Sequence, residues 1–236
     1  MKKFLFGIWH FKEFIPVYKR LLDDLHEAGI TRVSMEFPKN WKKQIELLKI
    51  LDPFFSELAE YAEKKGMAVI GIDSPELARK YSFAGVSLDL KKLYPQSELE
   101  QLMRQIRARK SQTDPKEARW DFLDFQEKSL SLALNRTEGE LVEETTKWHV
   151  KRDAFMAEEL KKTGFQAIIV GDAHAVALSK RIGQPVIDYG GVVARVGAKR
   201  GQKELLNPLH LKKYRRERTV QSRESLKSMP KPRLPK

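Results

Sequence analysis

The chain has 236 residues, 33% of them charged and 41% hydrophobic, with a formal net charge of +13 and no cysteine. That length is enough for one or two domains with a real core, and no apolar run approaches the roughly 18–20 residues that cross a bilayer. Disulfides, thiolate metal sites and cysteine nucleophiles are excluded, which leaves His, Asp and Glu to hold any metal.

The N-terminal Lys pair precedes an apolar stretch of only about six residues before His10 and Lys12 interrupt it, short of a signal-peptide core. A cytoplasmic protein is the expectation. The positive charge is concentrated at the other end: residues 197–236 hold 13 Lys and Arg against three Glu, which leaves the first 196 residues only slightly basic. This tail is poor in apolar residues and ends Pro-Arg-Leu-Pro-Lys, a composition that predicts disorder. It reads as a solubility tail, or as a weak, salt-sensitive contact with nucleic acid or an acidic surface.

In chain order, residues 3–8 (KFLFGI) predict a first strand. Residues 11–28 predict a helix, with Phe14, Ile15, Tyr18, Leu21, Leu22 and Leu25 at helical spacing, closed by Gly29. Residues 31–37 (TRVSMEF) predict a second strand, broken by Pro38 and followed by a helical stretch over 40–65 that Pro53 divides. Residues 67–72 (MAVIGI) predict a strand buried on both faces, and Asp73-Ser74-Pro75-Glu76 starts a helix. Over 84–116 the pattern is ambiguous: SLDLKKLY fits a strand or an extended loop, and KSQTDPKE is a polar break. Helices follow over 117–134 and 138–162, then a strand over 165–170, a helix over 173–181 and a short strand over 185–188. The alternation predicts an α/β fold: a mostly parallel sheet flanked by helices, a helical insertion in the middle and a disordered basic C-terminal tail. The expected division is an α/β domain over 1–196 and a tail over 197–236.

Ligands of open parallel sheets bind at the carboxyl ends of the strands, and those ends carry the chemistry here. Strand one runs into Gly7-Ile8-Trp9-His10, strand two ends at Glu36, strand three at Asp73, and the strand from Phe165 runs into Gly171-Asp172-Ala173-His174. About 0.3 Gly-x-x-His matches are expected by chance in such a composition, and two occur, both after apolar strands. A glycine lets the chain turn tightly as it leaves the sheet, and the His three residues on can point back across the strand ends. Two imidazoles with one or two carboxylates suit Zn, Mn, Fe or Co with a position left for water. The expected metal ligands are His10, His174, Glu36 and Asp73, with Glu36 alternatively a general base and Arg152 orienting a substrate carbonyl or oxyanion. Taken singly, each has a plainer role: His10 and His174 as capping or packing residues, Asp73 and Asp172 as helix N-caps, and His149 as a partly exposed helical residue. His26 and His210 have no such company.

The segments FGIWH, VSMEF, VIGIDSPELARKY and KRDAFMAEELKKTGFQAIIVGDAHAVAL, spread over residues 4–178, resemble the TraB, Tiki, ChaN and erythromycin-esterase superfamily, TraB-type proteins above all. The likeness rests on the two Gly-x-x-His motifs (His10 and His174), the acid at the end of the second strand (Glu36) and an Arg-Asx-x-x-Met-Ala segment from Arg152 to Ala157. Asp73 matches an aspartate common in TraB-like members. The chain departs from the pattern at Lys151 and at Ala175-Val176, and it has the basic tail in place of C-terminal membrane helices. The resemblance implies an α/β fold with a site at the strand ends, and metal-dependent peptide or ester hydrolysis; haem binding belongs to the ChaN branch. The leading expectation is a metal-dependent hydrolase acting on a peptide or small molecule. The alternatives are a non-catalytic ligand- or haem-binding protein and a nucleic-acid-associated protein that acts through residues 197–236.

Overall fold

The computed structural model describes residues 3–10, 12–44 and 53–191. The basic tail predicted over 197–236 lies outside the described residues. The described residues fall into two compact units, one drawn from those within 3–73 together with 153–191, and one from Ser74–Arg152.

The first unit is built on a five-stranded, all-parallel sheet of order β3-β2-β4-β1-β5, with β1 Phe4–Ile8, β2 Arg32–Pro38, β3 Ala68–Asp73, β4 Ala167–Gly171 and β5 Val186–Asp188. Alternate residues of the strands feed opposite faces. On one face Phe6, Ile8, Val33, Met35, Ala167 and Ile169 pack with helices α1 (Ile15–Glu27) and α2 (Pro53–Lys64). On the other, Leu5, Ile72, Ile168 and Val170 pack with Met156, Ala157 and Leu160 and with Ala175 and Leu178. Both faces are therefore covered, as apolar parallel strands require.

The second unit is helical, formed by α3 (Pro75–Leu93), α4 (Gln96–Ser111), α5 (Ala118–Asn135) and the start of α6 (Glu138–Thr163). Helix α7 (Asp172–Ile182) follows β4 in the first unit and closes on Gly183, whose φ of +67° suits only a residue without Cβ at low cost. No helix among the described residues is long and apolar enough to cross a membrane.

Two expectations change. The ambiguous 84–116 stretch is helical, and SLDLKKLY is the end of α3 rather than a strand or loop. Its mixed pattern reflects a small-residue contact: Ala84 and Ser87 are fully buried, and the Ser87 hydroxyl lies 2.9 Å from the Ser129 carbonyl of α5. Asp73 is also not the helix cap. Ser74 holds that position and accepts from the Leu77 amide at 3.3 Å, so Asp73 is left as a buried strand end.

Strand β2 carries a register shift against β3 between Met35 and Pro38, a bulge that brackets Glu36. Bulges beside functional sites re-aim a side chain. The bulge needs the bare backbone of Gly71: a Cβ there would stand 2.2 Å from the Pro38 carbonyl oxygen and 2.7 Å from that of Phe37. Gly71→Ala is expected to cost about 2–3 kcal/mol in denaturant unfolding, because backbone rather than a side-chain tip must move.

In the helical unit, Glu127 accepts from Lys110 and Arg107 at 2.9 Å each, and these cations hold its carboxyl below the ordinary carboxylate range. A depressed folded value contributes stability above the unfolded value and loses it as pH falls. The stability advantage of the wild type over Glu127→Gln is expected to be full at neutral pH. It should shrink as pH drops below about 4.3, which paired denaturant titrations would show.

Candidate functional site

All five strands end in or run into a residue that can ligate or titrate: Asp73, Glu36, the Asp172–His174 turn, His10 and Asp188. The sheet order sorts them. Strands β1 and β4 are neighbours, with Gly7 opposite Val170 and Ile8 opposite Gly171, and β2 lies on the other side of β4. His10, Glu36 and His174 thus issue from three adjacent strands. Asp73 ends the edge strand, two positions from β4 and three from β1, about 10 and 14 Å at the usual strand spacing.

Two of these groups, His10 and Glu36, converge on Gly171. A Cβ on Gly171 would lie 2.8 Å from His10 Nε2 and 3.1 Å from Glu36 Oε2. The Gly171 amide donates to Glu36 Oε2 at 2.8 Å, which places the carboxylate at the N-terminus of α7, where a first-turn N–H otherwise lacks a partner and the helix dipole favours negative charge. The other oxygen, Glu36 Oε1, is 3.3 Å from His174 Nε2. On its far side the same imidazole makes a 2.5 Å hydrogen bond through Nδ1 to Asp153 Oδ1. Asp153, His174 and Glu36 are all buried.

The glycines of the two motifs work differently from the expectation. Among the described residues, left-handed φ occurs at Gly29, Gly66, Gly164 and Gly183, and Gly171 has an ordinary φ of −55° that any residue can adopt. What Gly171 supplies is space for a side chain arriving from the first motif. Gly7 returns the arrangement: a Cβ there would lie 2.8 Å from Asp172 Oδ1, a side chain of the second motif. Asp172, weighed as an N-cap, stands in the first turn of α7 with Gly171 at the cap.

His10 is positioned by packing. Its ring stacks on Phe54 at 5.2 Å and meets the edge of Phe55 at 4.7 Å, both at the start of α2. The turn before it is fixed where the Trp9 amide donates to Tyr18 Oη at 3.0 Å, on a phenol whose burial pushes its pKa up.

Arg152 is buried, with its guanidinium 5.0 Å above the Tyr81 ring within the helical unit. Successive helix residues point about 100° apart, so Arg152 and Asp153 diverge. Asp153 shares a face with Met156, Ala157 and Leu160, the i+3, i+4 and i+7 positions, all buried against the sheet. Asp153 is the residue that the sequence reading missed, and an acid on an otherwise apolar helical face was the signal for it. His149, weighed as a partly exposed helical residue, stands one turn before Asp153 on α6.

No protein-family model, curated protein or solved structure matches the chain.

Gly171→Ala is expected to fold, since its backbone is unstrained and the groups it meets are side-chain tips. The added methyl should drive His10 and Glu36 apart. The imidazole resonances of His10 are therefore expected to shift while the amide spectrum away from the β1 and β4 ends stays native.

Proposed function

We propose that this chain is a metal-dependent hydrolase-like protein of the peptide- or ester-cleaving class, acting in the cytoplasm, with His10, Glu36 and His174 as the core of its metal site. The observation that carries the reading is the approach of His174 Nε2 to Glu36 Oε1, with His10 Nε2 and the other Glu36 oxygen both close to Gly171. Two donors bound to one metal at about 2.0–2.1 Å in tetrahedral geometry stand about 3.3–3.4 Å apart, and the separation here is 3.3 Å. The donor chemistry agrees: imidazole nitrogen and carboxylate oxygen without thiolate suit Zn, Mn, Co or Fe.

A metal of that kind would supply a bound water of lowered pKa as nucleophile. The chain's own groups divide the remaining tasks. Glu36 Oε2 is engaged by the Gly171 amide, so Oε1 is the atom offered to metal or to a water proton. Phe54 and Phe55 hold the His10 ring in place. Asp73 is the outlying carboxylate that a fourth-ligand role would draw in. The resemblance of the Gly-x-x-His segments to the TraB and Tiki superfamily supports the same reading. Haem would suit these residues less well than a bare cation, because the His174 nitrogen that would hold it already faces a carboxylate oxygen.

Purified protein is expected to contain a transition metal by elemental analysis, and His10→Ala, His174→Ala and Glu36→Gln should each lower its affinity by at least about tenfold. Cleavage of a fluorogenic peptide or nitrophenyl ester panel should stop on chelation and return with metal. Unchanged metal content in both histidine variants would remove the site.

A further inference from the structure

We infer that Asp153 is a positioning residue, which acts through His174 to fix the imidazole tautomer and so aims the Nε2 lone pair at the metal position; this rests on the metal-site reading above. A carboxylate can only accept at the 2.5 Å contact with His174 Nδ1, so Nδ1 carries the proton whenever the ring is neutral. The free electron pair then sits on Nε2, the nitrogen that faces Glu36 Oε1 at 3.3 Å. An unrestrained imidazole favours the opposite tautomer, which would turn an N–H toward the metal position.

The surroundings make the bond strong. Asp153 is 2% exposed and His174 4%, and Met156, Ala157 and Ala175 pack nearby in the apolar layer on that face of the sheet. A hydrogen bond in such a low-dielectric setting both orients the ring and raises its basicity as a ligand. A metal placed instead on the Nδ1 side of His174 would have to displace this bond. The Nε2 side asks for no such loss.

The direct test is long-range proton–nitrogen NMR on the metal-free protein labelled at histidine, read at a pH where the His174 ring shows a single protonated nitrogen. His174 is expected to carry its proton on Nδ1; a proton on Nε2 in the wild type would overturn the inference without any variant. Asp153→Asn keeps an accepting oxygen and is expected to retain the tautomer. Asp153→Ala is expected to lose the tautomer and to bind zinc about 10- to 100-fold more weakly in competition with a chromophoric chelator. A folded Asp153→Ala protein with wild-type zinc affinity would sink the positioning role. If the wild type itself binds no metal, the proposed function fails, while the tautomer measurement still decides the role of Asp153.

Discussion

Two absent Cβ atoms govern the carboxyl edge of the sheet. Gly7 and Gly171 sit at the ends of neighbouring strands, and each leaves open the volume that a side chain from the other motif occupies. The Gly-x-x-His repeats are thereby interlocked rather than merely adjacent: His10 and Glu36 close over Gly171, and the Asp172 carboxylate closes over Gly7. The approach of α7 to β1 and the aromatic seat of His10 meet at that exchange. Interiors pack at crystal-like density, so volume left free at two backbone positions is a specific requirement.

The electrostatics follow from the packing. Glu36 and Asp153 approach opposite nitrogens of one buried imidazole. Carboxylates are costly to bury unless hydrogen bonds and positive charge compensate them. The Gly171 amide and the α7 N-terminus supply part of that compensation to Glu36. An imidazolium offers one unit of positive charge and a divalent cation two, and in the proposed reading the cation balances both acids while leaving His174 as a neutral ligand.

Much of the fold was legible because strands buried on both faces announce themselves as short apolar runs such as MAVIGI and FQAIIV, and amphipathic helices as the 3.6-residue spacing seen from Phe14 to Leu25. Residues 84–116 were not legible. Helix α3 meets α5 through Ala84 and Ser87, and small buried residues leave no hydrophobic stripe to read. The bulge at Glu36 was hidden for another reason: it depends on Gly71 of the neighbouring strand, a pairing that residue spacing within β2 does not encode.

The candidate site divides in the same way between local and non-local information. That Glu36 approaches His174, and that His10 and Glu36 both come close to Gly171, could be inferred from their shared place at strand ends, since parallel sheets bring those ends together whatever the connections. The reason for the glycines could not, because a residue's need for space is set by a partner more than 100 positions away. Asp153 is the intermediate case. Its segment is conspicuous for the guanidinium of Arg152, yet helical periodicity places Asp153 with Met156, Ala157 and Leu160 on the face that packs against the sheet. An ionisable group on an apolar face must find a partner or lose its charge. Ranking charged residues by the face they occupy, before ranking them by chemical versatility, selects the aspartate.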